Sequence, residues 1–290
     1  MNTNKKAATM VLYMVGLGLG DEDDITVKGL KIVQQCDTVV LENYTSVLGI
    51  NKERLEEIYG KPIILADRNA VESAAEDDIL SNDKDVAFLV VGDPLCATTH
   101  TDLWLRARQR GIQVEIVHNC SIMGAAASCG LSLYEFGATI SIPFFTEEWK
   151  PTSFIPKLEY NLKGGLHTLC LLDIKVKEPN FEAMMKGRTE FMPPRFMTVG
   201  QAAQQLLESQ SILEKEEKET SYGDALCIGL ARMGQPTQKI VAGTLQELVD
   251  TDFGPPLHTL IVCGKILDYE WEVVKEFLIP NSKYEYKAPE

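Results

Sequence analysis

The chain has no Cys-x-x-Cys pair, no His-Glu-x-x-His or His-x-x-x-His spacing, and only four histidines, His100, His118, His167 and His258, set far apart. Zinc is held by thiolates and imidazoles at short fixed spacings, so a metal centre is not expected. The seven cysteines (Cys36, Cys96, Cys120, Cys129, Cys170, Cys227, Cys263) are odd in number and scattered, mostly within apolar runs such as Thr168–Leu172. That pattern argues against a disulfide framework and for buried thiols in a reducing compartment. No stretch approaches the roughly 18 uninterrupted apolar residues of a membrane span. Lys5-Lys6 before an apolar run has the outline of a signal peptide, but the run contains alternating glycines and ends in four acids, with no small-residue cleavage site. A cytoplasmic location away from any membrane is therefore expected. Basic residues are also short: 28 against 42 acidic, a formal charge of −14. Such a surface repels phosphate backbones, so nucleic acid is not an expected partner. Internal repeats and low-complexity linkers are absent as well.

What is present is ordinary globular material. Apolar residues make up 45% and charged residues 24% of 290 residues, enough for two domains. The first half alternates short apolar runs with amphipathic helical patterns, the mark of βαβ units on a parallel sheet. Strands are expected at Val11–Val15, Thr38–Leu41, Ile63–Leu65, Val86–Val91 and Gln113–Ile116, with helices such as Thr26–Gln35 and Asp102–Arg110, the latter ending at Gly111. After Pro143 the expected elements are a strand Thr168–Val176, a long helix Val199–Glu217, and strands Ala225–Arg232 and His258–Cys263, which together suggest a mixed sheet. The expected boundaries are a disordered extension over 1–9, an N-terminal α/β domain over 10–120, a connecting segment over 121–142, a C-terminal α/β domain over 143–280 and a tail over 281–290.

The most informative segment is Val11-Leu-Tyr-Met-Val-Gly-Leu-Gly-Leu-Gly20, followed at once by Asp21-Glu-Asp-Asp24. A strand that runs into alternating glycines reads as backbone brought close to a ligand. Four acids there would repel a pyrophosphate, which a dinucleotide-binding turn holds on free N–H groups. A cation is better suited, and S-adenosylmethionine carries a sulfonium and an ammonium. The alternative is a tight βα turn with a solvated acidic helix start. A second loop, Gly92-Asp-Pro-Leu-Cys-Ala-Thr-Thr-His100, should emerge at the same sheet edge, where Asp93 could accept from an ammonium or hydroxyl and Thr98 and Thr99 could cap the next helix. A third, His118-Asn-Cys-Ser-Ile-Met-Gly-Ala-Ala-Ala-Ser128, joins a strand end to a nearly side-chain-free helix, which permits close approach of a flat ligand or of another helix.

Together these segments resemble a family. Gly16-Leu-Gly-Leu-Gly-Asp21, Leu41-Glu-Asn-Tyr-Thr-Ser46, Gly92-Asp-Pro94 with Ala97-Thr-Thr-His-Thr101, Asn119–Met123, Gly165–Val176, Pro193–Thr198 and Phe253-Gly-Pro-Pro-Leu-His258 resemble the diphthine synthases, methyltransferases of the diphthamide pathway within the tetrapyrrole-methylase superfamily. The likeness spans about Met10 to Gly264. It implies a homodimer of two-domain α/β subunits, with S-adenosylmethionine in the cleft between a mostly parallel N-terminal sheet and a mixed C-terminal one. It also implies the substrate: translation elongation factor 2 bearing a 3-amino-3-carboxypropyl group on one histidine. The amine is methylated repeatedly, and in the eukaryotic type, which this chain resembles more, the carboxylate too. S-adenosylhomocysteine is the product. Carried over by motif, the cofactor contacts are Leu19, Asp93, Cys96, Ser121, Ile122, Leu172, Met233 and His258. One departure is visible: Cys96 stands where the family's loop has glycine.

Transfer from a sulfonium is an in-line displacement, which asks the protein for alignment and exclusion of water. The amine must first lose a proton, yet no residue is singled out as its acceptor; His118 and His258 remain open candidates. The Lys175–Arg195 segment, with Lys177, Lys186, Arg188 and Arg195, could dock a protein substrate or be a solvated loop. Rival readings are a corrin or sirohaem methyltransferase, a nicotinamide enzyme using Glu42, and a noncatalytic scaffold.

Overall fold

The computed structural model describes residues 10–44, 51–73, 79–80, 84–176, 178, 184–185, 187–188 and 191–288. The expected extension over 1–9 lies outside them. The chain divides into two compact units, Met1–Met123 and Gly124–Glu290.

The first unit is built on five strands, β1 Val11–Gly16, β2 Thr38–Glu42, β3 Ile64–Ala66, β4 Val86–Val90 and β5 Gln113–Val117, in the order β3-β2-β4-β1-β5. Every pairing is parallel. The central strand β4, Val-Ala-Phe-Leu-Val, is buried at all five positions, as a strand covered by helices on both faces must be. The edge strands β3 and β5 carry the exposed positions. Helix Val27–Gln35 starts at Thr26, whose hydroxyl accepts from the Gly29 N–H at 3.0 Å, and helix Thr101–Gln109 is followed by Gly111 at φ +76°. Thr98 and Thr99 do not cap that helix. The Thr98 hydroxyl donates to the Pro94 carbonyl at 2.7 Å and the Thr99 hydroxyl to Glu72 at 3.0 Å, while His100 occupies the cap position and its side chain makes no capping bond to the helix.

The second unit holds a mixed sheet of β6 Ile140–Ile142, β7 Thr168–Leu172, β10 Cys227–Ala231, β11 Lys239–Gly243 and β12 His258–Val262, ordered β11-β10-β12-β7-β6; a small ribbon pairs β8 Ile174–Lys175 with β9 Arg195–Phe196. The expected single strand Thr168–Val176 is interrupted at Asp173. Its N–H donates to the Ile142 carbonyl at 3.2 Å and its carboxylate accepts from the Phe144 N–H at 3.2 Å, which turns the chain from one sheet into the other. The long helix, Val199–Lys215, opens on a reciprocal pair in which the Thr198 hydroxyl accepts from the Gln201 N–H and the Gln201 side chain accepts from the Thr198 N–H. Its buried face, Val199, Ala202, Ala203, Leu206 and Leu213, packs into one core with Cys170, Cys227, Leu260 and Val262. The cysteines are all free; five are buried, Cys96 is partly covered and Cys120 is exposed. Among the described residues no helix is long and apolar enough to cross a membrane.

Candidate functional site

Because β1 and β4 are neighbours, the loops that leave their carboxyl ends meet. The Leu17 N–H donates to the Val90 carbonyl at 2.8 Å, and Gly18 and Gly92 exchange N–H to carbonyl bonds at 3.2 and 2.7 Å. The glycines of the first loop make this meeting possible. A Cβ on Gly16 would lie 2.6 Å from the Gly92 carbonyl oxygen and 2.8 Å from the Asn119 Cβ, and one on Gly18, at φ +79°, 2.6 Å from the Asp24 Cβ. At Gly16 and Gly18 the close neighbours are thus the loops of the protein itself.

The acidic run is partly bound by the chain itself, although Asp21, Asp23 and Asp24 stay exposed. The Asp24 carboxylate accepts from the Leu19 and Gly20 N–H groups at 3.2 and 2.7 Å, filling the place that a phosphate takes in a dinucleotide-binding turn. Asp21 accepts from the Asp23 N–H at 3.0 Å, and Glu22 pairs with Arg54 at 2.9 Å. The Leu19 and Gly20 N–H groups that a pyrophosphate would use are thus taken by Asp24. Asp24→Ala is expected to release both N–H groups and loosen Leu19. Faster hydrogen exchange at the Leu19 and Gly20 amides checks it.

Asp93, only 4% exposed, stands at the centre of the second loop. Its Oδ1 accepts from the Leu95 N–H at 2.9 Å, and its Oδ2 from His118 Nδ1 at 2.8 Å and the Asn119 N–H at 3.2 Å. Burial alone would raise the Asp93 carboxyl, but the bonds from Leu95, His118 and Asn119 outweigh it and hold the group below the usual carboxylate range. Asn119 lies in the Asn119–Met123 motif, but the sequence singles out no role for it. Its Nδ2 donates to the Gly16 carbonyl at 3.0 Å and to the Asp24 carbonyl at 2.9 Å, and its Oδ1 accepts from the Cys120 N–H at 2.7 Å. One amide thus ties the first loop to the segment that follows β5. Its position directly after an expected strand end was the available signal.

Five of the carried-over contacts collect here. A Cβ on Gly92 would lie 3.8 Å from Leu19 Cδ2 and 3.9 Å from Ser121 Cα, the Cys96 N–H donates to the Asp93 carbonyl at 3.3 Å, and Ile122 follows Ser121 at the start of a short helix. In the second unit, Leu172, Met233 and His258 gather at one end of the mixed sheet, since β12 pairs His258 with Ala231 on β10 and Thr259 with Leu171 on β7. The His258 ring is fully committed: Nε2–H donates to the Gly254 and Pro255 carbonyls at 3.1 and 3.0 Å, and Nδ1 accepts from the Val199 N–H at 3.3 Å. Burial holds its pKa below the ordinary value. Arg232 fixes the same turn, donating from Nη1 to the Phe253 carbonyl at 2.7 Å and to that of Pro255. A groove of about 1010 Å³ runs over this unit past Phe144, Arg195, Gln201, Phe253 and His258. Of the basic segment, Lys177 and Lys186 lie outside the described residues, and Lys175 and Arg195 each have an acidic partner, Asp173 at 3.5 Å and Glu178 at 2.8 Å.

Comparison with known proteins settles the family. A family model for Tetrapyrrole (Corrin/Porphyrin) Methylases matches residues 11–249. The diphthine methyl ester synthase of Bos taurus is 54% identical over 283 residues, covering 96% of this chain and 99% of its own. The chain belongs to the diphthine methyl ester synthases. That of Aspergillus fumigatus is 52% identical over 278 residues, with 95% and 96% covered. A crystal structure of diphthine synthase superposes with a TM-score of 0.77 at 31% identity, covering 92% of this chain and 96% of its own. The protein is accordingly a methyltransferase, with the tetrapyrrole-methylase arrangement of a parallel and a mixed sheet that the resemblance implied.

Proposed function

We propose that this methyltransferase takes its methyl groups from S-adenosylmethionine and transfers them to the 3-amino-3-carboxypropyl histidine of translation elongation factor 2, trimethylating the amine and methylating the carboxylate to form diphthine methyl ester. The observation that carries the reading is the 54% identity, along 99% of its length, to a diphthine methyl ester synthase. The residues suit the methyl donor. A carboxylate oxygen accepts about two hydrogen bonds, and Asp93 Oδ1 has one, from Leu95, so a position remains for an ammonium or hydroxyl. Leu19, Cys96, Ser121 and Ile122 beside it, and Leu172, Met233 and His258 of the second unit, are proposed as the remaining contacts. S-adenosylmethionine supplies a methyl group on a good sulfur leaving group, and the chain supplies alignment and dryness. We further read the protein as a cytoplasmic homodimer, with a first domain over 10–120, a connector over 121–142, a second domain over 143–280 and a tail over 281–290.

The test is intact-peptide mass spectrometry of elongation factor 2, isolated at the aminocarboxypropyl stage, after incubation with the protein and S-adenosylmethionine. Stepwise methyl additions on the modified histidine are expected. A silent substrate beside demonstrated cofactor binding overturns the substrate and points to a macrocycle. Asp93→Ala is expected to weaken S-adenosylhomocysteine binding by about tenfold or more, the measure of one or two charge-assisted hydrogen bonds. Unchanged affinity removes Asp93 from the site.

A further inference from the structure

The fold uses both ring nitrogens of three of its four histidines. Besides His258, His100 donates from Nδ1 to the Pro94 carbonyl at 3.2 Å and meets the Tyr44 hydroxyl at Nε2 at 3.4 Å. His167 accepts from the Gly264 N–H at Nδ1 at 3.0 Å and donates from Nε2 to Glu270 at 3.3 Å. His118 differs. Its Nδ1–H is held by Asp93 at 2.8 Å, its side chain is 68% exposed, and among the described residues its Nε2 has no partner. The Asp93 carboxylate fixes the tautomer: with the proton on Nδ1, the free lone pair is on Nε2. This imidazole stands at the end of β5, one residue before Asn119 and three before Ser121, at the meeting of the glycine loop and the Asp93 loop.

We propose that His118 Nε2 is the acceptor of the substrate amine's proton, and that Asp93 is its positioning residue. The inference rests on the proposed function, which provides an amine that is protonated at neutral pH. In the step, the substrate N–H bond breaks, an Nε2–H bond forms, and the electron pair stays on the substrate nitrogen as its nucleophilic lone pair. The imidazolium then returns the proton to water, which its exposure permits. Three amine methylations each release one such proton. Methylation of the carboxylate releases none, since that group is already ionised at neutral pH, about three units above its usual value.

Asp93 faces the ring from the loop after β4. On the glycine loop, the Asp24 carbonyl is bound by the neighbouring Asn119 and its carboxylate by Leu19 and Gly20, and on the ring's own segment the Cys120 thiol is pushed up by burial and by Asp24.

The experiment separates nitrogen from oxygen methylation. His118→Gln is expected to slow the first amine methylation by on the order of a hundredfold or more. Ester formation on elongation factor already carrying the trimethylated amine should be slowed far less than amine methylation, as a lost proton acceptor bears only on the step that releases a proton. Added imidazole is expected to restore amine methylation to His118→Ala. In the protein without cofactor, nitrogen-15 spectra should show His118 protonated at Nδ1 and bare at Nε2, and Asp93→Asn should mix the two tautomers. Equal slowing of both steps, no slowing of either, or a proton on Nε2 overturns the proposal. A wild-type protein silent on both substrates overturns instead the functional reading, and the inference with it.

Discussion

Gly16→Ala is expected to weaken S-adenosylhomocysteine binding by on the order of a hundredfold and to cost about 2 kcal/mol of stability, a typical overpacking penalty. The added methyl would stand 2.6 Å from the Gly92 carbonyl oxygen, 2.8 Å from the Asn119 Cβ and 3.1 Å from the Pro94 Cδ. None of these is the far end of a flexible chain. Two belong to the turn that carries Asp93, and the third to the residue whose amide holds the Gly16 and Asp24 carbonyls. Relief requires the glycine loop and the Asp93 loop to separate, which stretches the Gly18–Gly92 bonds and moves Leu19 away from Ser121. Affinity should therefore fall further than stability. Thermal melts and calorimetric titration on one preparation compare the two, and a wild-type affinity in a folded Gly16→Ala protein refutes the account of the loops.

Much of the fold was legible. Apolar runs separated by amphipathic helices placed the strands of the first sheet within one residue at each end, and Gly111 marked a helix end by its own chemistry, whereas Thr98 and Thr99, expected as caps, bond Pro94 and Glu72 instead. Where reading failed, the missing information was long-range. That Gly16 faces Asn119 is a contact across 103 residues, and that Asp24 closes its own loop depends on a backbone turn no composition reveals. The glycines and acids were correctly marked as unusual, yet sequence could not say whether their partner was a ligand or the chain itself. Short pairings escaped for a related reason. Strand β6 alternates over only three residues and β11 shows no clear alternation, and the break at Asp173 comes from side-chain and backbone bonds to the 142–144 segment. The pairing of His118 with Asp93 was likewise invisible: a histidine at a strand end is ordinary until its neighbour on the adjoining loop is known.

Acid is expected to destabilise the protein well before its carboxylates titrate, and His100 should be the largest contributor. Its ring is 1% exposed, meets the Phe88 ring edge-on at 5.1 Å, and is driven by burial from the ordinary 6.5 down to about 4, against smaller opposing effects of the Pro94 carbonyl and Glu72. The sign follows from linkage. Below pH 6.5 the unfolded chain takes up a proton that the folded chain refuses until about pH 4, so stability present above 6.5 is lost as pH falls between the two values. At 1.36 kcal/mol per unit, the gap amounts to about 3 kcal/mol by pH 4. Burial also lowers His167 and His258, which adds to the slope in the same direction. Carboxylates such as Asp93 and Glu247 are held below their usual range and keep their contribution until lower pH, so the region between 6.5 and 5 reports on histidine. Denaturant melts across that region should show the loss. His100→Gln is expected to be less stable at pH 7.5, having lost packing against Phe88, yet to fall more gently on acidification; an unaltered slope would assign the acid sensitivity elsewhere. Since His100 Nδ1 holds the Pro94 carbonyl next to Asp93, the same opening should carry away cofactor affinity. Binding is then expected to weaken below pH 6.5 in step with stability, even though Asp93 itself remains ionised there.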